Sequence, residues 1–350
     1  MTTKARSTNR MDARNQRAPR QDTLALWAGI AFSFLFTGLI WIAGSRLDAI
    51  RLLPDTGPAW YYWRLPEPTF WTRASVGGLY LLHQFALWAL IFRAQQERPK
   101  YTTSLHRFNV LALGVNALFI VLHFVQTHIF YDGLAQDVSI WTSQGSVIVM
   151  LVAILLMENT RRGLFAGKRI NFLNEAARFW RKYHGYVFAW AIVYTFWYHP
   201  MVSTSGHLIG FLYMFLLMVQ GSLFYTRIHT NRWWTFTQEA TVLVHGGLVA
   251  VMQGNGMWPM FAFGFAGLLV LTQMFGLGLP RWARWAILAV FVGTVLLTYS
   301  IVGWARINEI VRIPAIEYLA VFVLAGLTSG GMWLARLLRR APTAPDGAAA

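Results

Sequence analysis

The chain has 350 residues, 56% of them apolar and only 13% charged, with a net charge of +16 and no cysteine. A soluble domain carries roughly 25% charged residues, so this composition excludes a soluble globular protein. The missing cysteine excludes disulfides, thiolate nucleophiles, iron–sulfur clusters and Cys-ligated zinc.

Residues 1–23 are polar and basic and are expected to form a disordered tail. A cleaved signal is not expected there, because the basic stretch is long and the apolar run after it has helix length. From 24 to 338 the sequence predicts a transmembrane domain of ten spans. They lie near 24–45, 74–95, 108–130, 137–158, 183–201, 205–226, 236–254, 257–279, 284–304 and 314–336. About 20 apolar residues in a helix cross a bilayer core, and lipid tolerates no unpaired backbone groups. The expected fold class is therefore all-α, a polytopic membrane bundle. Residues 339–350, with Pro342, Pro345 and Gly347, read as a second disordered tail.

The charge follows topology rather than nucleic acid. Of the 30 Lys and Arg residues, 24 fall in segments on the N-terminal side of the membrane and six on the other. The positive-inside rule then places both termini in the cytoplasm. No nucleic-acid-binding module is legible; the partners expected are the bilayer itself and either an electron-transfer partner or a lipid-linked substrate. The basic stretch 159–182 serves mainly as a topology determinant, with a short amphipathic helix near Phe172–Trp180 as an option. The loop 46–73 holds Trp60, Tyr61, Tyr62, Trp63, Phe70 and Trp71, which suit the headgroup region, and its four prolines exclude one regular helix. The two halves of the chain show no matching inverted repeat, which weakens a transporter reading.

Histidine carries the chemistry. Intramembrane polar residues are a functional hypothesis by default. A rise of about 1.5 Å per residue sorts the nine by depth. His83, His123 and His245 form a mid-depth layer, the candidate cofactor- and metal-binding set. His128, His199 and His207 form an outer layer, the candidate catalytic set. His106, His184 and His229 sit at the cytoplasmic border. Asn109, Asn116, His123 and Thr127 share one helical face, as do Thr241 with His245, and Tyr80 with His83. His128 lies about 140° around the helix from His123, so the two serve different sites.

Three chemistries compete. Paired imidazoles can hold haem b, although the spacing departs from a two-haem pattern; only His184 and His199, fifteen apart, approach it. Imidazoles can also bind copper, iron or zinc, with Met201, Met252, Met257 or Met260 as soft ligands for Cu(I). Finally, His128, His199 and His207, with Asp132 and Asp137, can work as acid–base groups at the outer surface. Beside all three stands a plain interhelical hydrogen bond, worth about 1 kcal/mol. The leading expectation is an inner-membrane redox protein binding haem or a metal (copper or iron) through histidine. A membrane transferase with an outer histidine as base is the alternative, and a transporter the third. Spans two, three, five, six and seven are expected to build a polar cavity, with one, nine and ten at the periphery.

Overall fold

The computed structural model describes residues 20–54 and 64–340. Ten α-helices cross these residues, each over one expected span. They are α1 (Gln21–Ala43), α2 (Phe70–Glu97), α3 (Arg107–Phe130), α4 (Ile140–Arg162), α5 (Asn174–Tyr198), α6 (Ser205–Ser222), α7 (Arg232–Met252), α8 (Trp258–Leu271), α9 (Arg281–Val302) and α10 (Glu309–Arg340). Among the described residues there are no strands, only two isolated bridges, Thr102 with Thr226 and Phe165 with Lys168. Eight of the helices are long and apolar enough to cross a membrane. The others, α5 and α7, open on polar turns that dilute their apolar lengths. Large apolar side chains stand outward along the helices, Leu35, Ile42, Ile301 and Leu327 among them, each more than 70% exposed. Water does not tolerate that surface and lipid does. The protein is an all-helical, multi-pass membrane protein.

Helix ends differ from expectation where local caps act. Thr69 accepts the Thr72 N–H through its hydroxyl, so α2 starts at Phe70 and takes in Phe70 and Trp71, which the sequence alone places in the loop 46–73. The stretch Phe172–Trp180 does not form a separate surface helix. A short 3₁₀ turn, Asn171–Leu173, leads into α5, which runs unbroken for 25 residues. Trp60, Tyr61, Tyr62 and Trp63 lie outside the described residues, as do 1–19 and 341–350 of the expected tails.

The chain divides into two compact units. Unit 1 takes its described residues from 1–147 and 185–258, and unit 2 from 148–184 and 259–350. In unit 1, α2 packs on α3, and α6 on α1, α3 and α7. A Cβ on Gly29 of α1 would stand 2.6 Å from Val219 of α6, so glycine is what lets these helices approach. Phe36 of α1 meets Phe124 of α3 and Phe215 of α6 edge-on, at 5.6 and 5.9 Å. The first span is thus a core member of unit 1, not the peripheral helix its lack of histidine suggested. A cavity of about 200 Å³ lies between α1, α3 and α6; its walls are mainly apolar and hold no histidine.

In unit 2, Gly264 and Gly267 of α8 lie against Ile313 and Pro314 of α10. Thr272 donates to the Leu164 carbonyl at 2.7 Å and accepts from the Tyr318 hydroxyl at 2.6 Å. The Asn159 side chain bonds both backbone groups of Ile170.

Candidate functional site

The polar stripe of α3 is buried along its whole length, and each member reaches a partner on another segment of unit 1. Asn109 donates to the Ser222 and Phe224 carbonyls, both at 2.8 Å. Asn116 donates to Ser222 Oγ at 2.9 Å. Thr127 Oγ1 accepts the Met201 N–H at 3.1 Å. In lipid such bonds hold helices in register, because the alternative is an unsatisfied group in hydrocarbon.

His83 is bonded at both nitrogens and fully buried. The Trp197 indole can only donate, so its N–H, 3.2 Å away, makes Nδ1 of His83 an acceptor. The proton therefore sits on Nε2, which donates to Asn116 Oδ1 at 2.9 Å. The chain continues through Asn116 to Ser222 Oγ, and Ser222 donates to the Met218 carbonyl at 2.7 Å. The ring also stacks flat on Phe119, with centroids 4.4 Å apart. A metal at His83 would have to displace Trp197 or Asn116.

His123 is equally enclosed. Its Nε2 lies 2.8 Å from the His199 carbonyl, which only accepts, so Nε2 carries a proton. Its Nδ1 lies 3.2 Å from the Gln126 side-chain amide. A neutral ring takes the nitrogen of that amide; an imidazolium takes its oxygen. Gln84, the residue after His83 on α2, is also buried, and neither end of its amide finds a partner among the described residues.

The third mid-depth residue belongs elsewhere. His245 of α7 leans over the first turns of α6, where its Nε2 would stand 3.1 Å from a Cβ on Gly210, and it bonds the Gly206 backbone. His207 is on the first turn of α6, with its Nδ1 2.7 Å from Thr204 Oγ1. His199 directly follows the last residue of α5. It donates from Nδ1 to the Thr195 carbonyl at 2.9 Å, which leaves Nε2 the basic atom of the neutral ring. The His199 and His207 rings are 5.6 Å apart, and both lie within electrostatic reach of His245. Met252 Sδ packs over Gly206, 3.4 Å from where a Cβ would stand.

The structure thus gathers His199, His207 and His245 and ties His83 and His123 into packing, with His123 joined to the first group through the His199 carbonyl. His128 joins neither group: it donates from Nδ1 to the Phe124 carbonyl at 2.8 Å, and its Nε2 meets no partner among the described residues. Asp137 forms a two-toothed ion pair with Arg73, at 2.7 and 2.6 Å. Asp132 accepts from the Gly133 N–H at 2.8 Å. Burial pushes its carboxyl up to about 6. Among the described residues, no group of three or more His, Cys, Asp and Glu has the geometry to hold a metal ion. His106, His184 and His229 bond Thr102, Arg181 and Gln220 near helix ends.

Searches of protein-family models, curated proteins and solved structures find no match to this chain.

Proposed function

We propose that the protein is an inner-membrane enzyme, with both termini cytoplasmic, that uses His199 and His207 as acid–base groups on a lipid-linked or extracytoplasmic substrate. The observation that carries this reading is the meeting of three imidazoles around the first turns of α6: His199 from just past the end of α5, His207 from α6 itself and His245 from within α7. In the neutral state His199 presents Nε2 as a base, oriented by the bond from Nδ1 to a carbonyl. His245 positions the start of α6 through Gly206 and limits how many of the three rings carry a proton at once, because like charges at this spacing repel.

A second reading has its own support. The Met252 thioether stands beside the same turn, and imidazole with thioether suits a soft metal. No three of the described histidines and carboxylates are placed to hold a metal together, so on this reading haem or metal rests on the His199 and His207 imidazoles with that thioether, in place of His83 and His123.

One comparison separates the readings. Membrane lipids are profiled from cells expressing the wild type, His199→Ala or His207→Ala, and the purified proteins are assayed for a Soret band and for iron, copper and zinc. The acid–base reading expects a lipid or glycolipid change that only the wild type makes, in a metal-free protein. Stoichiometric metal or haem that either variant loses decides for the second reading.

A further inference from the structure

The seam of α10 holds a carboxyl that sequence reasoning overlooked. Pro314, Glu317, Val321 and Ala325 are its buried positions, at the three- and four-residue spacing of one helical face. Three of the four are apolar. Glu317 is 5% exposed, its Oε2 is fully enclosed, and that oxygen meets no hydrogen-bond donor among the described residues. The span was expected at the periphery of the bundle; Glu317 gives it a buried polar group.

The other carboxylate of the same helix makes the contrast. Glu309 is held by Arg306, at 3.0 and 3.1 Å, and by the Tyr299 hydroxyl. Arg312 is bonded to Asn308 at 2.7 Å, and Tyr318 to Thr272. Arg162 lies within electrostatic reach of Tyr318. The helix packed against Ile313 and Pro314, α8, contains no ionisable residue. An ionised carboxylate in such a place costs far more than a neutral one, so the group responds by binding a proton.

We propose that Glu317 is an intramembrane proton-binding site of unit 2, occupied in this conformation and able to exchange its proton when the α10 seam opens to water. Pro314 gives the seam a natural opening point, because it has no N–H for the Ile310 carbonyl one turn earlier.

The test uses the full chain in native membranes and a hydrophobic carbodiimide, which adds across a protonated carboxyl reached through lipid: the carboxyl proton goes to a carbodiimide nitrogen and the carboxylate oxygen to its central carbon. Labelling is mapped by mass spectrometry, with Glu97 and Glu67 as water-facing comparisons and a water-soluble carbodiimide as the second reagent. Glu317 is expected to take the hydrophobic reagent near neutral pH, to lose labelling about tenfold per pH unit on the alkaline side of its titration, and to resist the water-soluble reagent. Glu317→Gln, which keeps the side-chain shape, is expected to fold normally and to remove this adduct alone. Failure of Glu317 to label while Glu97 labels overturns the proposal. So does labelling with the same pH profile as Glu97.

Discussion

The two histidine regions of unit 1 are built from the same residue type to opposite ends. At His83 and His123 both ring nitrogens are engaged, and the rings are fully buried among Phe119, Phe196 and Trp197. His199, His207 and His245 are half-buried residues that meet one another around the first turns of α6. An imidazole saturated by neighbours is a packing element; imidazoles held close to one another are a place where protons or metals can move. Depth in the membrane does not separate these roles, since His245 lies as deep as His83 in the sequence reading. The direction each residue faces around its helix does.

Substitution at the inner region is the strongest way to break this contrast. His83→Ala leaves the Trp197 N–H and Asn116 Oδ1 without their partner and opens a void against Phe119. The expected loss is about 2–4 kcal/mol of stability, read as a lower melting temperature in detergent. His83→Ala protein that melts like the wild type would show that the network carries no stability.

A middle-sized effect comes from the border of unit 1. The Asp132 carboxyl titrates near 6 in the folded protein, against 3.8 for the free group. Its native state therefore binds the proton more tightly than the unfolded chain does. The associated stability is complete below about pH 4 and is lost as the pH rises through about 6. Asp132→Asn is expected to gain roughly 1–2 kcal/mol at pH 8 and nothing at pH 4. Equal gains at both pH values would contradict the assignment.

The smallest stability effect belongs to the outer region. His199→Ala and His207→Ala each change a half-buried residue, and each is expected to cost under about 1 kcal/mol. Their effect is expected on function. A variant of either residue that melts as low as His83→Ala would merge the two regions into one structural network.

Much of the fold was legible because lipid leaves so few alternatives. Each expected span coincides with a helix, and the burial of Asn109, Asn116, His123 and Thr127 follows from their seven- and four-residue spacing. Partners across long sequence distances were not legible. Nothing in the sequence joins Trp197 to His83, or the His199 carbonyl to His123. Depth alone puts His245 with His83; its direction around α7 brings it beside His199 and His207. The spacing of Glu317 from Pro314, Val321 and Ala325 puts it on one face of α10, but nothing in the spacing tells a buried face from an exposed one.

The most direct measurement is histidine acylation by diethyl pyrocarbonate in native membranes at neutral pH, quantified residue by residue. His199, His207 and His245, partly exposed in the structure, are expected to react, while the fully buried His83 and His123 stay unmodified until the protein unfolds. Modification of His83 and His123 at the rate of His199 and His207 in the folded protein would contradict the division on which the proposed function stands.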